Sequence, residues 1–167
     1  MRAATTALAL AALAAVVAGC TDRGGARSSR DGVGRVERVI DGDTIDVTID
    51  GHDERVRLLG IDTPETKIPD TAPECYGPEA SARTGDLLPA GTSVRLERDV
   101  VARDDYGRLL AYVYRLDDEL LINEVLVRDG YARLLFIEPN GALRARLVAA
   151  ARAAEAAGAG LWGACGG

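Results

Sequence analysis

The sequence predicts an α+β fold in which a small antiparallel β-barrel carries α-helices packed on it. Three observations lead there. Ile45, Val47 and Ile49 alternate strictly with Asp46, Thr48 and Asp50, the period-two pattern of a half-buried strand. The predicted order of elements, three strands, a helix, two strands and two helices, excludes a doubly wound parallel sheet, which needs strands and helices to alternate. The chain has 167 residues, and at roughly 100 to 200 residues per domain this is one compact domain.

The elements follow in order. Arg35 to Ile40 begins a first strand, which passes through Asp41-Gly42-Asp43-Thr44 into the second. Gly51-His52-Asp53 reads as a turn, and Val56, Leu58 and Gly60 continue a third strand that completes a meander. Residues 61 to 77 hold Pro64, Pro69, Pro73 and Gly77, too many breakers for regular structure, and so predict a long loop of the kind that often carries function. Pro78 to Leu88 reads as a first helix, with Pro at its start and Glu79 in its first turn. Val94 to Glu97 and Leu109 to Tyr114 are the fourth and fifth strands, separated by the polar turn from Arg103 to Arg108. Leu120 to Arg128 fits a second helix stopped by Gly130, and Ala142 to Ala157 a third stopped by Gly158.

The first 33 residues have a different character. Arg2 precedes an apolar run from Ala7 to Ala18, which has the length of a signal-peptide core and is too short to span a bilayer. It ends in Val17-Ala18-Gly19-Cys20, similar to a bacterial lipobox, so residues 1–19 are expected to be a lipoprotein signal peptide and Cys20 the lipid-bearing cysteine. The plainer alternative is an ordinary secretory signal with Cys20 incidental. Both place the mature chain outside the cytoplasm, anchored to the membrane by lipid or secreted. Residues 20–33 are rich in Gly, Ser, Arg and Asp and read as a flexible tether, with the folded domain spanning 34–167.

With Cys20 set aside, Cys75 and Cys165 remain as an even pair in an oxidising compartment, and a disulfide between them is expected. Two free thiols are the alternative; a metal site is disfavoured because no CxxC or His spacing accompanies them.

Composition sets limits on partners. Hydrophobic residues make up 47% of the chain, enough for a core, but aromatics only 4%, so Val, Leu, Ile and Ala must build it around single large pieces such as Phe136 and Trp162. The net charge is −6, and residues 34–167 alone carry 16 cations against 24 acids, so the long-range field repels polyanions. Binding of nucleic acid would have to rest on a local cationic pocket or a bound cation.

Candidate chemistry lies in three clusters: Asp41 to Thr44, Arg57 to Lys67, and Tyr106-Gly107-Arg108. In a meander the start of strand two and the end of strand three lie side by side, so Asp43 and Asp62 can converge with Arg57 nearby. Two carboxylates and a backbone carbonyl make a partial site for Ca2+, completed by water and substrate oxygens. Taken singly, each residue has a plain reading: Asp43 and Asp62 as turn caps, Arg57 and Glu65 as a strand-edge salt bridge, Arg108 as a solvated group. His52, the only histidine, is assigned no chemistry.

Taken together, the clusters resemble the thermonuclease family of staphylococcal-nuclease-like domains over roughly residues 34 to 163. The resemblance extends through Val39 to Thr44, Arg57 to Lys67, Tyr76 to Ser81, Asp105 to Tyr114, Asn123 to Arg128, Pro139-Asn140 and Leu161-Trp162, in family order. It implies a five-stranded OB-fold barrel with three α-helices, and calcium-dependent hydrolysis of DNA and RNA to 3'-phosphate products; separately, no obligate protein partner is evident and a monomer is expected. By the same resemblance Asp43, Asp62 and the Thr63 carbonyl hold the metal, with Asp41 behind them holding ligand water. Arg57 and Arg108 bind phosphate, Glu65 activates the attacking water, and Tyr106 and Phe136 contact substrate. Two departures stand out: Asp105 occupies the position of a family lysine, and after Phe136 the second of two family tyrosines is missing. The rival functions are a catalytically idle OB-fold module that binds nucleic acid or protein, and a structural lipoprotein of the cell envelope.

Overall fold

Asp50 and Gly51 both have positive φ, at 51° and 81°, the conformation of a tight two-residue hairpin turn, and this dipeptide joins the second and third strands of the barrel. The computed structural model describes residue 1 and residues 31–67, 69 and 71–165. The predicted signal peptide, Cys20 and most of the predicted tether lie outside these residues. Strands β1 (Asp31–Asp41), β2 (Thr44–Ile49) and β3 (His52–Leu58) form the expected antiparallel meander. Two sequence expectations shift here. β1 starts at Asp31, three residues before the expected domain boundary, because residues 31–35 pair with the fourth long strand. His52 is not in the turn but opens β3 opposite Ile49, since the Asp50–Gly51 pair alone reverses the chain.

A one-residue break at Leu59 leads to β4 (Gly60–Asp62), after which the chain runs through the Pro-rich loop into α1 (Gly77–Leu87). β5 (Ser93–Glu97) and β6 (Leu109–Arg115) follow as an antiparallel pair. β5 also pairs with β1, and β6 runs parallel to β3 through Val56–Leu109, Arg57–Leu110 and Leu58–Ala111, which closes the five long strands into a barrel. This is the expected OB-fold. The short β7 (Leu120–Leu121) extends β6 where sequence reading starts the second helix, and α2 runs Ile122–Arg128. β8 (Arg133–Leu135) pairs with β4, a ladder that sequence reading leaves as loop. α3 (Arg144–Ala156) and the single turn α4 (Leu161–Ala164) complete the described chain.

The core is aliphatic, as the composition demands: Val36, Ile45, Val47, Val56, Leu58, Leu110 and Val113 are fully buried inside the barrel strands, and Leu126 and Leu147 bring α2 and α3 onto them. Asn123 is a buried polar exception with a structural task. Its Nδ2 donates to the Leu59 carbonyl at 2.8 Å and its Oδ1 accepts from the Val113 amide at 2.9 Å, joining α2 to the two strands of the parallel seam. Asn123→Ala strands both backbone groups in the core, and urea unfolding is expected to show a loss of about 2 to 4 kcal/mol. Cys75 and Cys165 form the expected disulfide, with Cα atoms 5.9 Å apart.

Candidate active site

The turn between β1 and β2 is built for close approach. A Cβ on Gly42 would fall 2.6 Å from the Thr63 hydroxyl, so only glycine lets the segment leaving β4 pack onto the turn. The Gly42 carbonyl accepts from Thr84 Oγ1 of α1 at 2.6 Å, and the Asp43 carbonyl accepts from the Leu58 amide at 2.9 Å. Helix, turn and third strand therefore fix the backbone that carries Asp41 and Asp43.

From that frame Asp43 reaches across to the Thr63 amide, which donates to its Oδ2 at 3.0 Å, while Thr44 Oγ1 donates to Oδ1 at 2.9 Å. Arg57 lies between the carboxylates. Its Nη2 is 3.1 Å from Asp43 Oδ2 and 2.8 Å from Asp62 Oδ1, so the two aspartates, 19 positions apart in sequence, meet on one nitrogen. Its Nη1 donates to the carbonyls of Leu58 at 2.9 Å and Ile61 at 2.8 Å, bracing the break between β3 and β4. Arg57 is only 5% exposed, and these contacts direct its guanidinium into the protein, whereas the family resemblance assigns it to phosphate.

Asp41 sits beside this group and faces Glu65. Its Oδ1 accepts from the Gly42 amide at 2.8 Å, Ser81 Oγ at 3.1 Å and Thr66 Oγ1 at 3.2 Å. Burial alone raises its pKa, but hydrogen bonding with Glu65, Gly42, Ser81 and Thr66 outweighs burial and holds it below the usual range. The same neighbour drives Glu65 the other way: hydrogen bonding to the Asp41 carboxylate raises it, against the Lys67 and Thr66 amides that donate to Glu65 Oε1 at 2.9 Å each. Asp62 is also raised, by burial first and by the nearby Asp43 and Glu74 carboxylates, with Arg57 opposing. The region holds more negative charge than Arg57 neutralises.

A surface cleft of about 1280 Å³ opens next to these groups, and Asp41, Thr44, Glu65, Lys67, Tyr106 and Arg108 are among the residues that line it. Arg108 approaches from the turn before β6. Asp104 organises that turn: its carboxylate accepts from the Tyr106 and Arg108 amides at 3.1 and 2.9 Å and from Arg108 Nε at 2.6 Å. Tyr106 is 86% exposed, with the Arg108 guanidinium 5.4 Å from its ring centre. Phe136 lies elsewhere: it packs over Gly60 with the Arg144 guanidinium 4.0 Å from its ring centre and is not among the cleft residues.

Sequence reading thus names four cleft residues, Asp41, Glu65, Tyr106 and Arg108, and four residues of the adjoining cluster, Asp43, Asp62, Thr63 and Arg57. It passes over Asp104, Thr66, Ser81 and Glu74. Asp104 was findable from its place four residues before Arg108 in a glycine-containing turn. Ser81 was not, because only the folded position of α1 brings it to Asp41.

Over residues 55–164 the chain matches the family model described as staphylococcal nuclease homologue. It belongs to the staphylococcal nuclease family. Among relatives of this family member, a thermonuclease of Staphylococcus intermedius is 46% identical over 127 residues, 76% of this chain and 74% of the relative. A thermonuclease of Staphylococcus hyicus is 44% identical over 128 residues, 77% of this chain and 74% of the relative. The SPbeta prophage-derived endonuclease YokF of Bacillus subtilis (strain 168) is 47% identical over 107 residues, 63% of this chain and 35% of that longer protein.

Proposed function

We propose that the protein is a calcium-dependent nuclease of low sequence preference that hydrolyses DNA and RNA phosphodiester bonds to leave 3'-phosphate ends. One observation carries the reading: Asp43 and Asp62 converge on a single Arg57 nitrogen, beside a cleft whose wall carries Glu65 and Arg108. Membership of the family and its relatives named thermonuclease and endonuclease support it.

The donor set fits a hard cation. Asp43, Asp62 and the Thr63 carbonyl offer only oxygen, Gly42 allows Thr63 close to the turn, and the surplus of carboxylate charge favours a bound cation. Among the described residues no group of three or more His, Cys, Asp or Glu side chains is placed to hold a metal, so the protein contributes two carboxylates and main chain, and water or substrate the rest. When bound, calcium supplies Lewis-acid polarisation of a phosphate oxygen and a template for in-line attack.

The chain's own groups do the remaining work. Ionised Glu65 takes a proton from the water that attacks phosphorus, the P–O5' bond breaks, the phosphate stays on the 3'-oxygen of one strand, and the other strand departs as a 5'-hydroxyl whose oxygen takes a proton from solvent. Asp104 holds Arg108 by Nε, which leaves the terminal N–H groups of its guanidinium for the phosphate oxygens on which charge develops. Tyr106 offers an exposed ring for base stacking at the same edge.

The reading includes export and lipid attachment at Cys20, so that the enzyme acts on nucleic acid outside the cytoplasm as a monomer. Among the described residues no helix is long and apolar enough to cross a membrane. Degradation of plasmid DNA and of RNA, with chelator and after restoring calcium, tests the central reading. Activity is expected only with calcium, and end-group analysis is expected to give 3'-phosphates; cleavage that persists in chelator would overturn the calcium mechanism.

A further inference from the structure

The loop that carries Glu65 has a closed neck. The Glu65 amide donates to Glu74 Oε2 at 3.0 Å, and the Glu74 amide donates back to the Glu65 carbonyl at 2.9 Å. Residues 65 and 74 thus form a reciprocal two-bond clasp at the base of an Ω-type excursion. The described residues between them form no helix or strand; Thr66 and Lys67 at the near end reach Asp41 and the Ile40 carbonyl, while residues 71–73 at the far end are exposed, so on that side the clasp is the tie next to the exposed stretch. The Glu65 side chain contacts the Thr66 and Lys67 amides, which are local, and Asp41 of β1, so the clasp governs the backbone from which that side chain reaches Asp41.

The clasp is fastened at Cys75. The residue next to Glu74 is bonded to Cys165 at the end of α4, and α4 is anchored by the fully buried Leu161, whose amide donates to the Gly130 carbonyl at 2.9 Å. On the other side the Gly77 amide donates to the Glu74 carbonyl at 3.0 Å. The first turn of α1 also presses on the Glu65 backbone: a Cβ on Gly77 would lie 3.0 Å from the Pro64 carbonyl oxygen and 3.1 Å from that of Glu65. Displacement of residues 74–77 is therefore transmitted to Glu65.

We infer that Glu74 is a positioning residue for Glu65 and that the Cys75–Cys165 disulfide holds Glu74 in register, so that the redox state of this pair sets the turnover rate. The inference rests on the reading of Glu65 as the base that activates water. The redox step is ordinary thiol exchange: a dithiol reductant gives two electrons and two protons, the S–S bond breaks, two cysteine thiols form, and the reductant closes to its own disulfide. Cys75 and Glu74 are exposed, so a small reductant reaches the bond. Because misplacement of a catalytic group by about 1 Å costs up to about 100-fold in rate, loosening the neck acts on kcat and not on substrate affinity.

The test measures kcat and KM on a DNA fragment in saturating calcium, well below the melting temperature, with circular dichroism as the check on fold. Glu74→Ala is expected to lower kcat by about tenfold or more with KM within about twofold. Glu74→Gln, which keeps an oxygen acceptor for the Glu65 amide, is expected to recover most of the loss. Treating wild type with dithiothreitol should lower kcat as the Cys75→Ser/Cys165→Ser double variant does, and the double variant should ignore the reductant. Faster amide hydrogen exchange at Glu65 in the reduced protein and in Glu74→Ala is the accompanying structural readout. Unchanged kcat in Glu74→Ala or in reduced wild type overturns the proposal, as does a rise in KM at constant kcat. Oxidised wild type that cuts nothing in calcium instead overturns the nuclease reading, and the proposal falls with it.

Discussion

Glu65→Gln is expected to lower kcat by about 10² to 10⁴-fold, the range that general-base assistance supplies, with KM and fold retained. The substitution is nearly isosteric, and the glutamine carbonyl can still accept from the Thr66 and Lys67 amides that Glu65 Oε1 now holds at 2.9 Å. What it removes is the ability to take a proton, together with repulsion against Asp41. Steady-state kinetics beside a thermal melt checks it: an unchanged melting temperature with near-normal turnover would remove Glu65 from the chemistry. The same pair of carboxylates sets a direction for pH. Hydrogen bonding to Asp41 raises the Glu65 pKa, and under the proposed mechanism the ionised form is the active one. Activity should be full above the raised value and lost as pH falls through it, with the acid limb above the ordinary glutamate range.

Arg57→Lys should damage stability and turnover together. The guanidinium satisfies four acceptors at once from a site only 5% exposed: Asp43, Asp62 and the carbonyls of Leu58 and Ile61. An ammonium is a single point with three donors and cannot span that set. The variant leaves buried oxygens unpaired and removes the nitrogen on which the aspartates meet. The Asp62 side chain is half exposed, so its share is discounted, and the expected loss is about 3 kcal/mol by denaturant unfolding. Turnover should fall by about 10² to 10³-fold, because the donor set of the site loses its registration. A variant with wild-type kcat and calcium requirement would show that the hub has no part in catalysis.

The contrast between these residues shows what sequence can convey. Strict alternation in β2, the Pro and Gly punctuation around α1 and the isolated apolar stretch of β6 each express a local preference, and each lies close to its expected place. β1 is less regular: its pairing with β2 shifts register between Val36 and Arg38 and again between Val39 and Asp41, irregularities that only the partner strand defines. The β4–β8 ladder was invisible because its two strands have three residues each, too few to carry a period. At the site, residue types and order pointed to Asp43, Asp62 and Glu65, since carboxylates and arginines in that order are the groups the proposed chemistry needs. The direction in which Arg57 points is different. It follows from the carbonyls freed at the break after Leu58, a consequence of backbone path that no residue type announces. The surroundings of Phe136 are hidden from sequence for a related reason: they are set by Gly60, distant along the chain, as well as by Arg144.

The parallel seam between β3 and β6 also decides when the two arginines come together. Arg57 stands in one strand of that seam and Arg108 immediately precedes the other, so their separation has no fixed value until residues 56–58 lie against 109–111. The meander that carries Arg57 is built from neighbouring segments, whereas the seam joins segments about fifty residues apart. Whatever the two guanidinium groups do together therefore waits on a pairing between distant parts of the chain, the slowest kind of contact to form.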